Sequence, residues 1–145
     1  MEFSLRQSTR DDLPWLLELR AEVLRDDLER LGRYDPVRVR QWMSDVFDPA
    51  LTQIIEIDGE SLGSITVRLD NGVRWIEHFY LPPSMQGRGI GTRVLDAVLR
   101  KLLVSPLPVR LNVLQGSAAR RLYERVGFVV DTEDEVNTFM TLRRS

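Results

Sequence analysis

Cysteine is absent from this chain of 145 residues, and histidine and lysine occur only once each. Without cysteine there can be no disulfide, no thiolate metal site and no cysteine nucleophile. A single histidine also excludes a metal site built from several histidines, and the acidic residues show no spacing typical of metal ligands. We therefore expect neither a bound metal ion nor catalysis by a cysteine.

Long apolar runs and an excess of charge of one sign are missing as well. No segment approaches the length of a membrane-spanning helix, and the amino terminus lacks the basic-then-apolar pattern of a secretion signal. The 20 basic residues are offset by 22 acidic ones, so a net charge of −2 gives no general attraction to nucleic acid or to anionic membranes. With 43% hydrophobic and 29% charged residues, we expect one cytoplasmic globular domain over residues 1–145.

The most informative segment is the glycine-rich stretch 86–92, with the sequence QGRGIGT. It follows the apolar run 75–81 and precedes a helical pattern, so the order predicts a strand, a tight turn and a helix. Alternate glycines leave successive backbone N–H groups uncovered at a helix N-terminus, where the helix dipole also favours an anion. Arg88 and Arg93 could contact phosphate oxygens. The pattern indicates a phosphate-bearing ligand, although the same glycines could simply shape a tight turn.

Two common phosphate-binding motifs do not fit this segment. A Walker loop requires a lysine directly after its last glycine, and the only lysine, Lys101, lies well inside the following helix. A dinucleotide fingerprint requires G-x-G-x-x-G, and here the spacing is G-x-G-x-G. Gln86, Gly89 and Gly91 match a third pattern, [Q/R]-x-x-G-x-[G/A]. Through it the segment resembles the pyrophosphate loop of the GCN5-related N-acetyltransferases.

A second segment resembles the same family. Residues 117–128, SAARRLYERVGF, contain the A-x-x-L-Y-x-x-x-G-F part of the family's N-x-x-A-x-x-L-Y-x-x-x-G-F pattern, from Ala119 to Phe128. Ser117 can cap the predicted helix, and Gly127 stands where a left-handed residue would end it. Tyr123 adjoins the apolar stripe of this helix, which alone is typical of a half-buried structural tyrosine. The whole chain resembles one bacterial subgroup, from which Ser117 (usually Asn) and Asn137 (often His) depart.

The remaining sequence predicts the order β-α-α-β-β-β-α-β-α-β-β. This is a mixed, splayed α/β sheet with helices on both faces, the fold that the resemblance implies. Asp58-Gly59 and Asn71-Gly72 predict hairpin turns, and Thr9 with Asp12 predicts a capping box for the first helix. The other predicted elements are a first helix ending at Gly32, a second beginning at Asp35-Pro36 and burying Val39, Trp42, Met43 and Val46, and strands at 53–57, 61–69, 73–81 and 109–114.

The resemblance implies acetyl transfer from acetyl-CoA to an amine. In this family a backbone N–H on the strand before the glycine turn stabilises the oxyanion; by position it belongs to Leu81, with Phe79 as a second candidate. Tyr123 is the expected acid for the departing CoA thiolate, because a phenol stays protonated at pH 7. The base is left open between His78, Glu77 and ordered water. Strand alternation puts these two side chains on opposite faces, so at most one of them points at the substrate.

The acetyl-CoA site implied by the resemblance comprises Phe79, Leu81, Gln86, Gly87, Arg88, Gly89, Ile90, Gly91, Thr92, Asn112, Ser117, Ala119, Arg120 and Tyr123. Arg33, Tyr34 and Trp42 are candidate contacts of the amine, although a capping Asp35, a core Trp42 and a solvated Arg33 explain the same residues. The identity of the amine, the acyl-chain preference and the choice between monomer and homodimer stay open. The alternative to an N-acetyltransferase is a non-catalytic CoA-binding module with the same fold.

Overall fold

The computed structural model describes residues 2–144, whose strands form a seven-stranded mixed sheet. Its strand order is β1-β2-β3-β4-β5-β7-β6, and β4 and β5 are its parallel pair. The order of elements along the chain confirms the predicted one. The elements are β1 (Phe3–Gln7), α1 (Leu13–Arg30), α2 (Pro36–Val46), β2 (Thr52–Ile57), β3 (Glu60–Asp70), β4 (Val73–Tyr80), α3 (Ile90–Leu102), β5 (Val109–Leu114), α4 (Ala119–Arg125), β6 (Phe128–Glu133) and β7 (Asn137–Leu142).

Both predicted hairpins are present, and the backbone explains their sequences. Asp58 and Gly59 have φ of +50° and +85°, and Asn71 and Gly72 have φ of +49° and +75°. Two successive positive φ values are the requirement of the tight turn that matches the twist of paired strands, and Asn-Gly and Asp-Gly tolerate it best. These turns hold β2, β3 and β4 together as a meander.

The start of α1 contains the acidic half of the predicted capping box. Asp12 accepts a hydrogen bond from the Thr9 N–H at 2.9 Å, from Arg6 at 2.8 Å and from the Trp15 indole at 3.0 Å. The Arg6 guanidinium, with these other donors, lowers the pKa of the Asp12 carboxyl to about 2. At the other end α1 stops at Arg30, and Gly32 follows with φ of +69°, as expected for a residue that terminates a helix.

The two faces of the sheet are covered by different helices. α1 and α2 bury Leu16, Met43 and Tyr80 on one face, and α3 and α4 bury Leu95 and Tyr123 on the other. Neither Trp42 nor Val46 belongs to the buried stripe of α2, contrary to the sequence prediction: their side chains are 58% and 44% exposed, whereas Val39 and Met43 are buried. α2 presents only a narrow face to α1, since Trp42 is turned about 100° from Met43 around the helix axis and Val46 is the last helical residue.

Within 2–144, none of the helices combines the length and the apolar character needed to cross a bilayer. Over the same residues, no group of three or more histidine or acidic side chains is arranged to hold a metal ion.

Candidate active site

The parallel strands β4 and β5 pair only along their first residues. The register joins residues 74–76 to residues 109–111, whereas β4 continues to Tyr80 and β5 to Leu114. Between the described parts of the two strands no further pairing occurs, so their carboxyl ends part. Open sheets bind ligands at such carboxyl ends, where the sheet leaves backbone groups unused. We call this space the β4–β5 opening.

A bulge in β4 lies beside this opening. Ser64 of β3 is opposite Tyr80 and Thr66 is opposite Glu77, so three steps along β4 match two along β3. His78 takes up the extra residue with φ of +47°, and its carbonyl accepts a hydrogen bond from the Ser64 hydroxyl at 2.7 Å. A bulge breaks the alternation of side chains. The alternation from which we predicted opposite faces for Glu77 and His78 is therefore interrupted between these two residues.

Arg20 of α1 joins Tyr80 and His78 in a cluster on the α1 side of the opening. Arg20 donates to the Tyr80 hydroxyl, and its Nε donates to the Val39 carbonyl at 2.7 Å. The same hydroxyl lies 3.1 Å from Nδ1 of His78. Burial, followed by the charge of Arg20, lowers the pKa of His78 to about 4, so the imidazole is neutral at pH 7. So low a pKa counts against His78 as the base at neutral pH.

Glu77 is held by an ion pair with Arg68 of β3. The guanidinium Nε lies 2.9 Å from one carboxylate oxygen of Glu77, and Nη2 lies 3.0 Å from the other. Two parallel bonds of this kind fix the carboxylate geometrically and use both of its oxygens. Both side chains predicted as possible bases are thus engaged by protein partners.

The glycine turn contains two residues in the left-handed region. Gly87 and Gly89 have φ of +74° and +82°, values that side chains disfavour. Gly91 is inside α3, where its lack of a side chain allows close packing: an added Cβ would lie 3.2 Å from Cδ2 of Leu122 in α4. Gln86 ties the turn to the end of β4, because its side-chain amide donates to the Leu81 carbonyl at 2.9 Å. The turn is therefore pre-shaped by the chain itself.

Backbone N–H groups at the start of α3 lack protein acceptors. Among residues 2–144, no acceptor takes the N–H of Gly89, Ile90, Gly91 or Thr92. The first intrahelical bond runs from the Arg93 N–H to the Gly89 carbonyl at 3.2 Å. Free N–H groups and the positive end of the helix dipole together favour a phosphate group.

Leu81 follows the last paired residue of β4. Its N–H finds no acceptor within residues 2–144, while its carbonyl is used by Gln86. Pro82 and Pro83 follow, and neither has an N–H to compete for a ligand. The Leu81 N–H thus has the availability that an oxyanion donor needs.

Tyr123 lies on the face of α4 that is buried against the sheet. Its side chain is 8% exposed, and its ring centroid lies 6.4 Å from that of Phe79 and 5.9 Å from that of Phe128. Burial, with a smaller effect of nearby Tyr80, raises the pKa of Tyr123 above its ordinary value. The phenol therefore stays protonated at pH 7, which an acid requires. Phe79 also approaches the start of α3, since its Cζ would lie 3.9 Å from a Cβ added at Gly91.

The other predicted cofactor residues lie along β5 and α4. The Asn112 amide donates to Asn137 of β7 at 3.0 Å, so these two positions are neighbours. The Ser117 hydroxyl accepts a hydrogen bond from the Ala119 N–H at 3.2 Å and thus caps α4, as predicted. Arg120 contacts two acids loosely, at 3.5 and 3.7 Å, and its side chain is 37% exposed.

The predicted substrate residues each have their own surroundings in the structure. The Tyr34 ring lies beneath the guanidinium of Arg25, 5.3 Å from it. Arg33 lies close enough to Asp134 in the β6–β7 turn to contribute to the lowered pKa of that carboxyl, whose main cause is hydrogen bonding from the backbone. Asp35 caps α2 by accepting from two backbone N–H groups. Trp42 is exposed on α2.

The cluster around Tyr80 was not predicted from the sequence, although the sequence contains one signal for it. Arg20 is a charged residue between Leu16, Leu19 and Val23 in the apolar stripe of α1. A cation at such a position needs a partner within the protein. The sequence could therefore have indicated a buried acceptor for Arg20, but not which residue supplies it.

Comparison with known proteins gives a match to one family. The model of the acetyltransferase (GNAT) family matches residues 16–128. The spermine/spermidine N(1)-acetyltransferase of Bacillus subtilis strain 168 is 31% identical over 70 residues, which is 46% of this chain and 46% of that protein. The matched segment therefore spans about half the length of this relative.

Solved structures share the whole fold at low identity. The PaiA N-acetyltransferase of Thermoplasma acidophilum, in complex with coenzyme A, superposes with a TM-score of 0.79 at 19% identity, over 99% of this chain and 100% of that one. An N-acetyltransferase of Staphylococcus aureus Mu50 gives a TM-score of 0.73 at 17% identity, over 96% and 100%.

Proposed function

Because the chain belongs to the acetyltransferase (GNAT) family, we propose that it transfers the acetyl group of acetyl-CoA to a primary amine. The observation that carries this proposal is the row of unused N–H groups at residues 89–92, which adjoins the β4–β5 opening. These donors fit the CoA pyrophosphate, and the parted strands leave room for an extended pantetheine arm. No metal is part of the proposal.

Acetyl transfer needs a donor for the oxyanion that forms when the amine attacks the thioester carbonyl. We assign this role to the Leu81 N–H, because it is positioned by β4 and has no protein acceptor among the described residues. Such a donor needs no reorganisation as charge develops, and its removal typically costs about 3 kcal/mol. The bulge at His78 supports the assignment, since it interrupts the regular pairing of β4 three residues before Leu81.

The departing CoA thiolate needs a proton, and we assign Tyr123 as its donor. The buried phenol is protonated at pH 7, and the same low-polarity surroundings disfavour a free thiolate. For the amine, ordered water is the favoured proton acceptor, since His78 and Glu77 are engaged by Tyr80 and Arg68. The charge of Arg20 would also disfavour an ammonium near this cluster and so favour the neutral, attacking amine.

For the acceptor we propose a polyamine. The relative in Bacillus subtilis is named for spermine and spermidine. Arg30 of α1 donates to the Gln115 carbonyl, and the Gln115 side chain contacts Glu133, so the end of α1 and the β6–β7 turn border the same part of the molecule. Asp26 and Glu135 in these two segments are exposed and form no ion pair with another described residue. Such acids attract a polycation.

An amine panel tests the proposed reaction. Thiol release from acetyl-CoA is measured with spermine, spermidine, amino acids, aminoglycosides and peptide N-termini, and CoA binding is measured by calorimetry. We expect turnover with the polyamines, and a KM for spermine that rises with salt and with the double change Asp26→Asn and Glu135→Gln. Turnover only with another amine would overturn the polyamine assignment alone.

A non-catalytic CoA-binding module is the alternative, and the same experiment separates it. Such a module would bind acetyl-CoA in the calorimeter and release no thiol with any amine. The availability of the Leu81 N–H favours the enzyme, because a module that only binds CoA has no use for an oxyanion donor.

Two further proposals concern the domain organisation of the chain and the location of the protein in the cell. We propose that residues 1–145 form a single acetyltransferase domain, which the continuous sheet of residues 3–142 supports. Acetyl-CoA is a metabolite of the cell interior, so we also propose a cytoplasmic protein, of bacterial origin like its relative in Bacillus subtilis. Gel filtration with light scattering decides between monomer and homodimer.

A further inference from the structure

A cavity separate from the β4–β5 opening lies on the α3 face of the sheet, away from the glycine turn. Its volume is about 270 Å³. Lys101 in its wall lies 12 residues along α3 from Gly89, which corresponds to about 18 Å at 1.5 Å per residue. The cavity is lined by Gln7, Ala50, Leu51, Gln53, Ile65, Val67, Arg74, Val98, Lys101 and Leu102.

The charge of this cavity is of one sign. Arg74 and Lys101 line it, and no acidic residue does. Neither of these two cations takes part in an ion pair with any residue from 2 to 144. A pair of cations without a carboxylate partner forms a local positive potential, which favours an anion.

The main evidence for a ligand in this cavity is the unpaired side chain of Arg74. Its Nε is buried and has no hydrogen-bond partner among the described residues. Buried polar groups are nearly always paired, and an unpaired donor on a charged group is especially costly. The backbone of Arg74 is held firmly, because its N–H donates to the Pro108 carbonyl at 2.9 Å and it pairs with Leu69 and Val109. The guanidinium therefore carries a donor that no described residue uses, on a residue that lines the cavity.

The rest of the wall is largely apolar. Val67, Val98 and Leu102 belong to the core cluster between the sheet and α3, or pack against it. A volume of 270 Å³ corresponds to about nine groups of water size, at about 30 Å³ each. A ligand that fits this space has an anionic head for Arg74 and a short apolar body.

We propose that this cavity binds a small organic carboxylate. A planar guanidinium pairs with a carboxylate through parallel N–H···O bonds, and a lysine adds charge without such geometry. The carboxylate accepts from Arg74, Lys101 approaches it from α3, and the aliphatic body lies against Val67, Val98 and Leu102. This site is separate from the acetyl-CoA site and does not depend on the proposed reaction.

Hexanoate is the probe that tests the site on the full chain without acetyl-CoA. Titration is followed by amide chemical shifts in ¹H–¹⁵N spectra. We expect saturable shifts around Gln53, Val67 and Lys101, while the amides of residues 87–92 stay unchanged. Hexanamide, which has the same body without the charge, should bind at least about tenfold more weakly, because a charge-assisted bond is lost.

Variants identify the residues responsible. Arg74→Met keeps an apolar stem and should weaken hexanoate binding at least about tenfold, and Lys101→Gln about two- to fivefold, since Arg74 supplies the geometry. Arg100→Met is the matched control: Arg100 is an exposed neighbour in α3 that does not line the cavity, and binding should be unchanged. Because Lys101 is exposed, Lys101→Gln remains informative if Arg74→Met fails to fold.

Three results would overturn the proposal. The first is the absence of saturable shifts, which would mean that water alone satisfies Arg74. The second is a set of shifts confined to the glycine turn, which would place hexanoate in the acetyl-CoA site. The third is equal binding by wild type, Arg74→Met and Lys101→Gln.

Discussion

The two sides of the β4–β5 opening are built from different chemical groups. On the α3 side the available groups are backbone N–H donors at residues 89–92, shaped by glycines with positive φ. On the α1 side they are side chains, namely the cluster of Arg20, His78 and Tyr80. A backbone donor is positioned by local dihedral angles, whereas a side-chain cluster needs elements that are distant in sequence to pack together.

The electrostatic consequences also differ between the sides. The start of α3 combines the positive end of the helix dipole with N–H groups that no described residue uses, and both favour an anion. The α1 side contains a half-buried cation, Arg20, whose charge adds to the effect of burial in lowering the pKa of His78 and keeping it neutral. We therefore expect substitutions on the α3 side to change acetyl-CoA binding, and substitutions on the α1 side to change proton equilibria and stability.

The largest expected effect concerns His78, on the α1 side. Its pKa is about 4 in the folded protein, against an ordinary value of 6.5, so the unfolded chain binds more protons between these values. The contribution of His78 to the free energy of unfolding is fully present above pH 6.5. It decreases by about 3 kcal/mol as the pH falls from 6.5 to 4. His78→Asn keeps a residue that tolerates positive φ and should lack this dependence. Urea unfolding at pH 7 and pH 4.5 measures it.

The control for this experiment lies in the chain itself. The carboxyl of Asp12, with a pKa of about 2, titrates below the window and is common to both proteins. An equal fall in stability for wild type and His78→Asn would contradict the prediction. Because His78 is the sole histidine, an NMR titration reads its pKa directly, and a value near 6.5 would show that Arg20 and burial do not act on it.

The second prediction concerns the glycine turn on the α3 side. Gly89→Val puts a branched side chain at φ of +82° and should displace the N–H groups that follow. We expect the Kd for acetyl-CoA to rise about 100-fold, or about 2.7 kcal/mol. Arg88→Ala is the comparison and should raise it less than about tenfold, since a surface charge contributes less. Calorimetry measures both. Equal losses would assign the affinity to the arginine.

Ligand phosphates offer a check on the same turn without any mutation. If the backbone N–H groups bind the pyrophosphate, a pantetheine thioester that lacks it should bind far more weakly than acetyl-CoA. The increase in Tm with ligand concentration gives the comparison. Equal stabilisation by both ligands would exclude an anion site at the turn.

Tyr123→Phe is expected to have a smaller effect. The ring contacts with Phe79 and Phe128 survive this change, while the proton donor is lost. General acid assistance is worth about 10²–10⁴-fold; after rescue by water we expect kcat to fall at least about tenfold, with KM for acetyl-CoA unchanged. Steady-state kinetics on the amine found in the panel measures this. A purely structural tyrosine would give a lower Tm and nearly normal kcat.

Trp42→Ser is expected to have the smallest effect. Trp42 is 58% exposed, so the free energy of unfolding should change by no more than about 0.5 kcal/mol. We expect kcat/KM for the amine to stay within about twofold, because removal of a side chain that does not touch the substrate leaves the binding of the transition state unchanged. A large rise in KM would support the prediction that Trp42 contacts the substrate. Met43→Ala, one residue away and buried, should cost about 2–5 kcal/mol and serves as the contrast.

Features that depend on chain neighbours were predicted correctly from the sequence. The hairpin at Asn71-Gly72, the strand–turn–helix order around Gly89 and the cap at Ser117 each follow from the φ values, hydrogen-bonding groups or periodicity of a few adjacent residues. The order of elements follows in the same way, since apolar period and turn residues are local signals. For this reason the glycine turn, which we propose as the phosphate site, could be recognised without a structure.

Only the tertiary structure decided which groups share the two sides of the opening. The extra residue at His78 exists because β4 must match the register of β3, and the exposure of Trp42 follows from how little of α2 rests on α1. Likewise, the hydrogen bond from Arg20 to Tyr80 joins residues that are far apart in the chain. The unpaired Nε of Arg74 also depends on how distant elements pack around it. Such contacts depend on the relative positions of whole elements, and no local pattern of residues encodes them.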